Sequence, residues 1–424
     1  MNTLLIEGGA PIKGEVTISG NKNAVLPMIA AALLTDEEIV LTNVPDIVDL
    51  QVMLEIAAGL GIENTFSGNR LSLRAANIRT TTISRESCSR VRTSILFAGP
   101  LAIRAGSAEL WPPGGDVIGR RRLDGHFYGL NALGVSVDCS DSYKFTCPKR
   151  PRGRELFLDE ASVTATEQIL MSAVLAEGET IIRNAAAEPH VTDLAELLIR
   201  MGAKISGLNS NTLAIEGVEK LHGAEHPVVS DHIEAGSFLA LGAATGGELV
   251  LKGTTPRHYW MARRVFERLG VSMSIDGDRI LLPGNQKPHI KSDFGGYTPV
   301  IADGPWPQFP SDMMSCAIVA ATQSTGTVMF FEKMFESRLY FVDRLISMGA
   351  NAIVCDPHRV VITGRTQLRA QKLASPDIRA GMAMIIAAIC ARGTSEISNC
   401  RMVGRGYENL AGKLTSIGVR LTER

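Results

Sequence analysis

Two kinds of apolar segment alternate along the chain. The first is a short helical stretch closing on a hydrophobic residue and a glycine, followed by a strand, a turn and a strand. It recurs as "GLGIENTFSGNRLSL", "ALGVSVDCSDSYKFTC", "RMGAKISGLNSNTLAI", "RLGVSMSIDGDRILL", "SMGANAIVCDPHRVVI" and "SIGVRLTER". The glycines are Gly61, Gly134, Gly202, Gly270, Gly349 and Gly418, spaced by 73, 68, 68, 79 and 69 residues. Glycine suits the left-handed position that ends a helix, and Ser-Gly-Asn, Asn-Ser-Asn and Asp-Gly-Asp are turn signals between strands. The second segment is a small-residue helix, a turn and a strand, mostly ending in Asn or Lys-Gly. Its copies are "AAALLTDEEIVLTN", "GPLAIRAGSAELWPP", "SAVLAEGETIIRN", "LALGAATGGELVLKG", "IVAATQSTGTVMFFE" and "IAAICARGTSEISN".

Together they predict six units of about 70 residues, each strand, helix, strand, helix, strand, strand. Helices this rich in Ala, Leu and Met on every side are expected to be buried. The 424 residues exceed one typical core, so the units are divided three and three. The longest spacing holds "GGYTPVIADGPWPQFPSD", which is expected to carry Trp306 and Asp312 on a loop, and long loops inside compact domains are often functional.

The composition is that of a soluble globular protein: 45% hydrophobic and 21% charged residues, with a net charge of −1. That balance argues against a nucleic-acid-binding surface, which needs a basic excess. No apolar run reaches the ~18 residues of a membrane span. "MNTLLIEGGAP" lacks the charged start and cleavage site of a signal peptide. Seven scattered cysteines without a CxxC read as reduced thiols of a cytoplasmic protein. No metal or cofactor is expected: the eight histidines are dispersed, and His222 and His226, placed to share a helix face, have no third ligand nearby.

Polar chemistry gathers at helix starts and loops. "ISGNKNAVLP" puts Lys22 and Asn23 at the start of an Ala-rich helix, where a lysine adds to the anion preference of the helix end. Arg92 opens the apolar "RTSILF", Asp377 and Arg379 open a buried helix behind Pro376, Arg338 lies in "FESRLY", and Arg405 lies between glycines. "WPPGGDVIGRRRLD" holds Asp116 at a bend, followed by Arg120, Arg121 and Arg122. Alone, that stretch reads equally as a solvated surface turn. With cations at the same place in most of six units, the pattern predicts convergence on a multiply charged small ligand, gripped by guanidinium forks. Neither GxxxxGK[ST] nor GxGxxG after a first strand is present, so a P-loop or a Rossmann site is not supported.

The whole chain, from "EGGAPIKGEVTISGNKNA" to "RGYENLAGKL", resembles the UDP-N-acetylglucosamine 1-carboxyvinyltransferase family of peptidoglycan synthesis and, more distantly, EPSP synthase. The most specific stretches are "SGNKNA", "GGDVIGRRRLD", "ASVTATE", "FPSDM", "FESR", "DIRAG" and "GRGYE". The resemblance implies an α/β fold, the inside-out α/β barrel, with two domains of three βαβαββ repeats. They are expected at 22–229, with a catalytic loop at about 112–122, and at 1–21 plus 230–424, with the site in the cleft between them. It implies transfer of the enolpyruvyl group of phosphoenolpyruvate to the 3′-hydroxyl of UDP-N-acetylglucosamine, with release of phosphate. It also implies a cytoplasmic monomer or weak homo-oligomer with small-molecule partners, no nucleic acid and no membrane.

Carried over by residue, the resemblance makes Asp116 the general acid, Asp312 the base, and Lys22 and Arg405 their catalytic partners. Phosphoenolpyruvate would be held by Lys22, Asn23, Arg121, Arg379 and Arg405. The nucleotide sugar would be held by Asn23, Arg92, Arg121, Leu123, Asp124, His126, Ser162, Val163, Asp312 and Met334. Five departures from the family's pattern stand out. Asp116 replaces the more frequent cysteine, which implies insensitivity to the thiol-alkylating antibiotic fosfomycin. Arg122 replaces a proline, Gly404 an acid, and Glu160 and His232 basic residues near the nucleotide. Those near the nucleotide leave open a different nucleotide acceptor, and a non-catalytic regulatory relative is the second alternative.

Overall fold

All six repeat glycines are left-handed, with φ of 105°, 93°, 102°, 84°, 101° and 94° in chain order. Each lets a helix end and turn directly into a strand, which a side chain would resist by ~1–2 kcal/mol. In the computed structural model, which describes residues 3–116 and 118–424, the strands form six small sheets, five of four strands and one of three. Met1, Asn2 and Val117, the last inside the loop expected at 112–122, lie outside the described residues.

The repeat is plainest in Glu155–Phe157, helix Val163–Ala173, Glu179–Arg183, helix Pro189–Arg200, Lys204–Ser206 and Thr212–Glu216. The first two strands run parallel and the last two close antiparallel. Two units depart from the expected order. In the three-stranded sheet the first strand shrinks to a single bridge between Thr82 and Glu109. In the last unit the N-terminal strand Thr3–Glu7 inserts between Thr394–Ser398 and Arg420–Glu423, antiparallel to both. His222 and His226 share no helix: His226 lies in the strand Ala224–Pro227, where its ring bonds Asp193, and His222 precedes that strand.

The asparagines that close the second segment have a shared task. Asn43, Asn184 and Asn399 adopt φ of 55°, 56° and 59°. Each amide donates at 2.8 Å to the carbonyl just past the parallel neighbouring strand, on Val228, Leu158 and Ser375 respectively. Asparagine tolerates the left-handed region and supplies the donor.

The chain forms two compact units. One holds Ser230–Arg424, the N-terminal segment to Ser19 and a loop tip ending at Arg120; the other holds Gly20–Asp116 and Arg121–Val229. Each has its own apolar core. In the first, helices His232–Thr245, Ser311–Thr322 and Ile378–Cys390 pack on one another and bury every residue except Thr245, Asp312 and Cys390. In the second, the 3₁₀ turn Arg92–Phe97, continued by helix Ala98–Ala105, packs on both Lys22–Ala31 and Val163–Ala173. Helices therefore lie inside and sheets outside, and the inner helices present Lys22, Asp312 and Arg379 at their first turns. No described helix is long and apolar enough to cross a membrane.

Candidate active site

Three helix starts in the first unit bring their polar residues together. Asp377 caps the Ile378–Cys390 helix, accepting from the amides of Arg379 and Ala380 at 2.8 and 2.9 Å. Asp231 caps His232–Thr245 in the same way. The third start corrects an expectation: Asp312 is on the first turn of Ser311–Thr322, not on a loop, because Pro310 presets the entry and an acid favours the positive helix end. Trp306 does lie on the preceding loop, its ring 5.7 Å from that of His232 and 6.2 Å from that of His258.

Asp312 uses both carboxylate oxygens. Oδ1 accepts from Arg338 Nη2 at 2.8 Å, and Oδ2 from Arg379 Nε at 3.0 Å, with Nη2 at 2.9 Å. The guanidiniums are almost fully buried, with 3% and 6% of their side chains exposed, whereas Asp312 keeps 30%. The carboxylate is thus presented outward from a cationic floor. Burial opposes the charge of Arg379, but Asp312 first, then Tyr407 and Asp231, outweigh it and hold the proton more tightly than usual. Arg379 also lies 5.5 Å from the centre of the Tyr407 ring. Arg405 ends a 3₁₀ turn packed on the same helix. A Cβ on the next residue, Gly406, would stand 2.8 Å from Ile378, so only glycine brings that turn so close.

His232, expected near the nucleotide, is 1% exposed. Burial first, then His258 and Arg379, lower its ring to about 3 despite Asp312, so it stands neutral at pH 7. Met334 is exposed, but its amide is already engaged by Glu332 Oε1 at 3.1 Å.

The second unit gathers cations. Asn21 caps the helix that starts at Lys22, and Lys22 Nζ meets Asp49 Oδ2 at 2.7 Å, both nearly buried. Asn23 is the next residue on that turn. Arg92 Nη2 donates to the carbonyls of Arg121 and, at 3.4 Å, Arg122. Burial, then the charge of Arg121, lower Arg92 to about 10, which leaves it cationic at neutral pH. These residues, with Pro112, Pro113, Leu123, Asp124, Phe127 and Tyr143, line a recess of about 290 Å³. It suits an anionic ligand with a flat ring: three arginines, two prolines and two aromatic rings line it. A larger hollow of about 520 Å³ elsewhere in this unit is lined by Glu37, Glu38 and Glu63, the wrong sign for an anion.

The loop that bears Asp116 is set by backbone packing. A Cβ on Gly114 would meet the Ser89 carbonyl at 1.7 Å, and Gly115, at φ 111°, sits on Arg92. Past the bend, Ile118 O accepts from Ser337 N at 3.1 Å and Arg120 N donates to Glu336 Oε2 at 3.2 Å. Two of the expected sugar contacts have local partners. His126 is 2% exposed and bonds Thr164 Oγ1 at 2.9 Å, its ring lowered to about 3 by burial and then Arg92. Ser162 caps the Val163–Ala173 helix, accepting from Ala165 N. Their position supports Thr164 and the helix start.

The residues the sequence did not single out are the partners: Asp49 for Lys22, Tyr407 for Arg379, Glu332 behind Arg338. None is part of a cation pattern. Only the closeness of each to a chosen residue, invisible in one dimension, marks it.

The chain matches the model of the EPSP synthase (3-phosphoshikimate 1-carboxyvinyltransferase) family over residues 6–414. It is 49% identical to the UDP-N-acetylglucosamine 1-carboxyvinyltransferase of Borreliella burgdorferi, covering 99% of both chains. The enzyme of the same name from Treponema denticola is 50% identical, again over 99% of both. That from Bradyrhizobium diazoefficiens is 48% identical, over 98% of this chain and 97% of its own. Among solved structures, the enolpyruvyl transferase NikO from Streptomyces tendae superposes with a TM-score of 0.88 at 21% identity, over 99% of this chain and 98% of that one. An EPSP synthase from Acinetobacter baumannii superposes at 0.75 and 16% identity over the full length of both. These two likenesses speak to the fold, the two-domain α/β architecture of six repeats.

Proposed function

The chain belongs to the EPSP synthase family of carboxyvinyltransferases, and we propose that it moves the enolpyruvyl group of phosphoenolpyruvate onto the 3′-hydroxyl of UDP-N-acetylglucosamine, releasing phosphate. The observation that carries this reading is Asp312, a partly exposed carboxylate fixed through both oxygens by two buried guanidiniums at a helix start. The reaction needs a base held still beside a cationic surface that accepts a trianion.

In this reading Asp116 gives a proton to the methylene carbon of phosphoenolpyruvate, and the neighbouring carbon becomes cationic. The sugar hydroxyl attacks that carbon and loses its proton to Asp312. The tetrahedral intermediate then expels phosphate as the new methyl group returns a proton. Lys22, Asn23, Arg121, Arg379 and Arg405 neutralise phosphate and carboxylate. The recess beside Arg92, with Leu123 and Asp124, takes the nucleotide sugar, completed by Asn23, Ser162, Val163 and Met334. No electron changes hands, so the chain's own side chains suffice for each step. We place the reaction in the cytoplasm, carried out by a monomer or weak homo-oligomer.

Phosphate release should require both substrates together. In Asp312→Asn, which keeps the shape but cannot take the proton, turnover should fall by ~10²–10⁴-fold while the nucleotide sugar still binds. Normal turnover in that variant removes Asp312 from the mechanism. One observation favours a second reading, another nucleotide as acceptor: Arg122 pairs with Asp124 inside the recess, its Nη2 2.7 Å from Oδ1. Release of phosphate with a different nucleotide, and none with UDP-N-acetylglucosamine, selects that reading.

A further inference from the structure

Behind Asp312 and Arg338 lies a pair of buried acids, and the repeat shows why it is unusual. Thr42, Arg183 and Ser398 end their strands opposite Pro227, Phe157 and Ala374 of parallel neighbours. The next residue in each case is the asparagine that donates across to a backbone carbonyl. In the sheet beside Asp312, Phe331 pairs with Ala302 in the same register, so the equivalent position falls to Glu332, and the residue across from it is Asp303. Both are fully buried. An amide donor has been exchanged for a carboxyl group, facing a second one.

The surroundings say how a proton is distributed. Glu332 is surrounded by donors: Ser311 Oγ at 2.9 and 2.8 Å from its two oxygens, and the amides of Met334 and Phe335, each 3.1 Å from Oε1. Asp303 Oδ1 accepts from Lys333 N at 2.5 Å. Asp303 Oδ2 is buried and meets no donor among the described residues, and the strand register sets Asp303 across from Glu332. Two adjacent buried carboxylates do not both ionise, and a single proton held between them turns an oxygen of one into a donor toward the other. Burial, then Asp303, lift the Glu332 carboxyl to about 8 against the pull of Arg338 and Ser311. The remaining charged groups facing the pair are Arg338 and, beyond it, Asp312, while His358 Nδ1 donates to the Glu332 backbone carbonyl at 2.7 Å.

We propose that Asp303 and Glu332 share one proton and act together as positioning residues, keeping Arg338 directed at Asp312. The inference rests on the reading of Asp312 as the base. Arg338 stands between the acids: Nη2 is 2.8 Å from Asp312 Oδ1, while Nε is 3.8 Å from Glu332 Oε2, beyond hydrogen-bond length. With a single negative charge on the pair, Arg338 stays on Asp312. With two, Nε is drawn to Glu332, and the base loses one of its two anchors. The proton is shared, not consumed, so no bond to substrate changes.

The test compares wild type, Asp303→Asn and Glu332→Gln over a pH series, reading kcat and KM for both substrates. Asparagine at 303 donates permanently and cannot ionise. It should keep kcat near neutral pH within about threefold and, unlike wild type, hold that value through the alkaline range where the pair loses its proton. Glu332→Gln should show the same flattening, with KM for the nucleotide sugar little changed. Loss of alkaline activity from any other group remains in all three proteins and cancels in the comparison. A purely structural pair would lower the melting temperature yet leave the shape of the profile as in wild type, and superimposable profiles overturn the proposal. Difference infrared spectra of wild type minus Asp303→Asn should carry a protonated-carboxyl band at neutral pH, and its absence also overturns it. Failure of the base reading has a different signature: full turnover in Asp312→Asn, whatever the profiles show.

Discussion

Residue 116 is a carboxylate where the family resemblance leads one to expect a thiol, and under the proposed reaction that exchange separates proton donation from nucleophilicity. Fosfomycin acts on the thiol form by alkylation, which requires a thiolate attacking the epoxide. A carboxylate is a poor nucleophile for that step, so the wild-type protein should retain its activity after prolonged incubation with the antibiotic. Asp116→Cys should keep measurable turnover and become inactivated over time, gaining the mass of one inhibitor by intact-protein mass spectrometry. Rapid inactivation of the unaltered protein would remove Asp116 from the acid's role. At this scale the sequence displayed the charged residues that stand at helix starts, because Lys22, Arg92, Asp312 and Arg379 each follow a recognisable cap or turn. It did not display what those residues pair with. Asp49 lies inside the Val48–Leu60 helix and Tyr407 just past a 3₁₀ turn, and neither stands out until folding brings it to Lys22 or Arg379. His126 and His232 show the converse: both stand at helix starts, and both rings are buried.

The six glycines are the element-scale feature that made the fold legible, and they divide by environment in a way that can be measured. Gly134, at φ 93°, has open space where a Cβ would point; Gly270, at φ 84°, has the backbone of His289 at 2.2 and 2.3 Å. Gly134→Ala should therefore lose only the conformational preference, about 1 kcal/mol. Gly270→Ala must also displace a neighbouring chain and should exceed about 3 kcal/mol, in the range reserved for packing clashes. Urea unfolding of the two variants checks the order, and equal losses would mean that the left-handed requirement alone fixes these turns. The same regularity explains where the sequence misled. A loop was expected to carry Asp312 because Pro and Gly crowd the stretch before it, yet the strand Val300–Ala302 and the helix from Ser311 leave only residues 303–310 between them. The missing first strand at Thr82 and the N-terminal strand closing the last sheet were likewise hidden, since a local pattern reports propensity and not which strand finds which partner.

For the molecule as a whole, the net charge of −1 conceals a set of site residues divided between the two units. One unit carries Asp116, Lys22, Arg92 and Arg121; the other carries Asp312, Arg338, Arg379 and Arg405. Neither holds the acid, the base and the anion-binding set together, so under the proposed reaction the two substrates must be gripped by residues of both. A ligand contacting residues from two units makes the binding of the next one easier, and the coupling is reciprocal, typically 1–3 kcal/mol. With the inactive Asp312→Asn protein preventing turnover, saturating UDP-N-acetylglucosamine and phosphoenolpyruvate together should raise the unfolding temperature by more than the sum of their separate effects. Calorimetry should find each substrate tightening the other by about the same factor, roughly 5–150-fold. Adding Arg405→Ala should remove most of that excess while sparing the shift produced by the nucleotide sugar alone, because Arg405 is assigned to the phosphoenolpyruvate anion and does not line the recess beside Arg92. Strictly additive shifts would mean that each substrate is held within a single unit, and the division of the catalytic set between the two would then have to be redrawn.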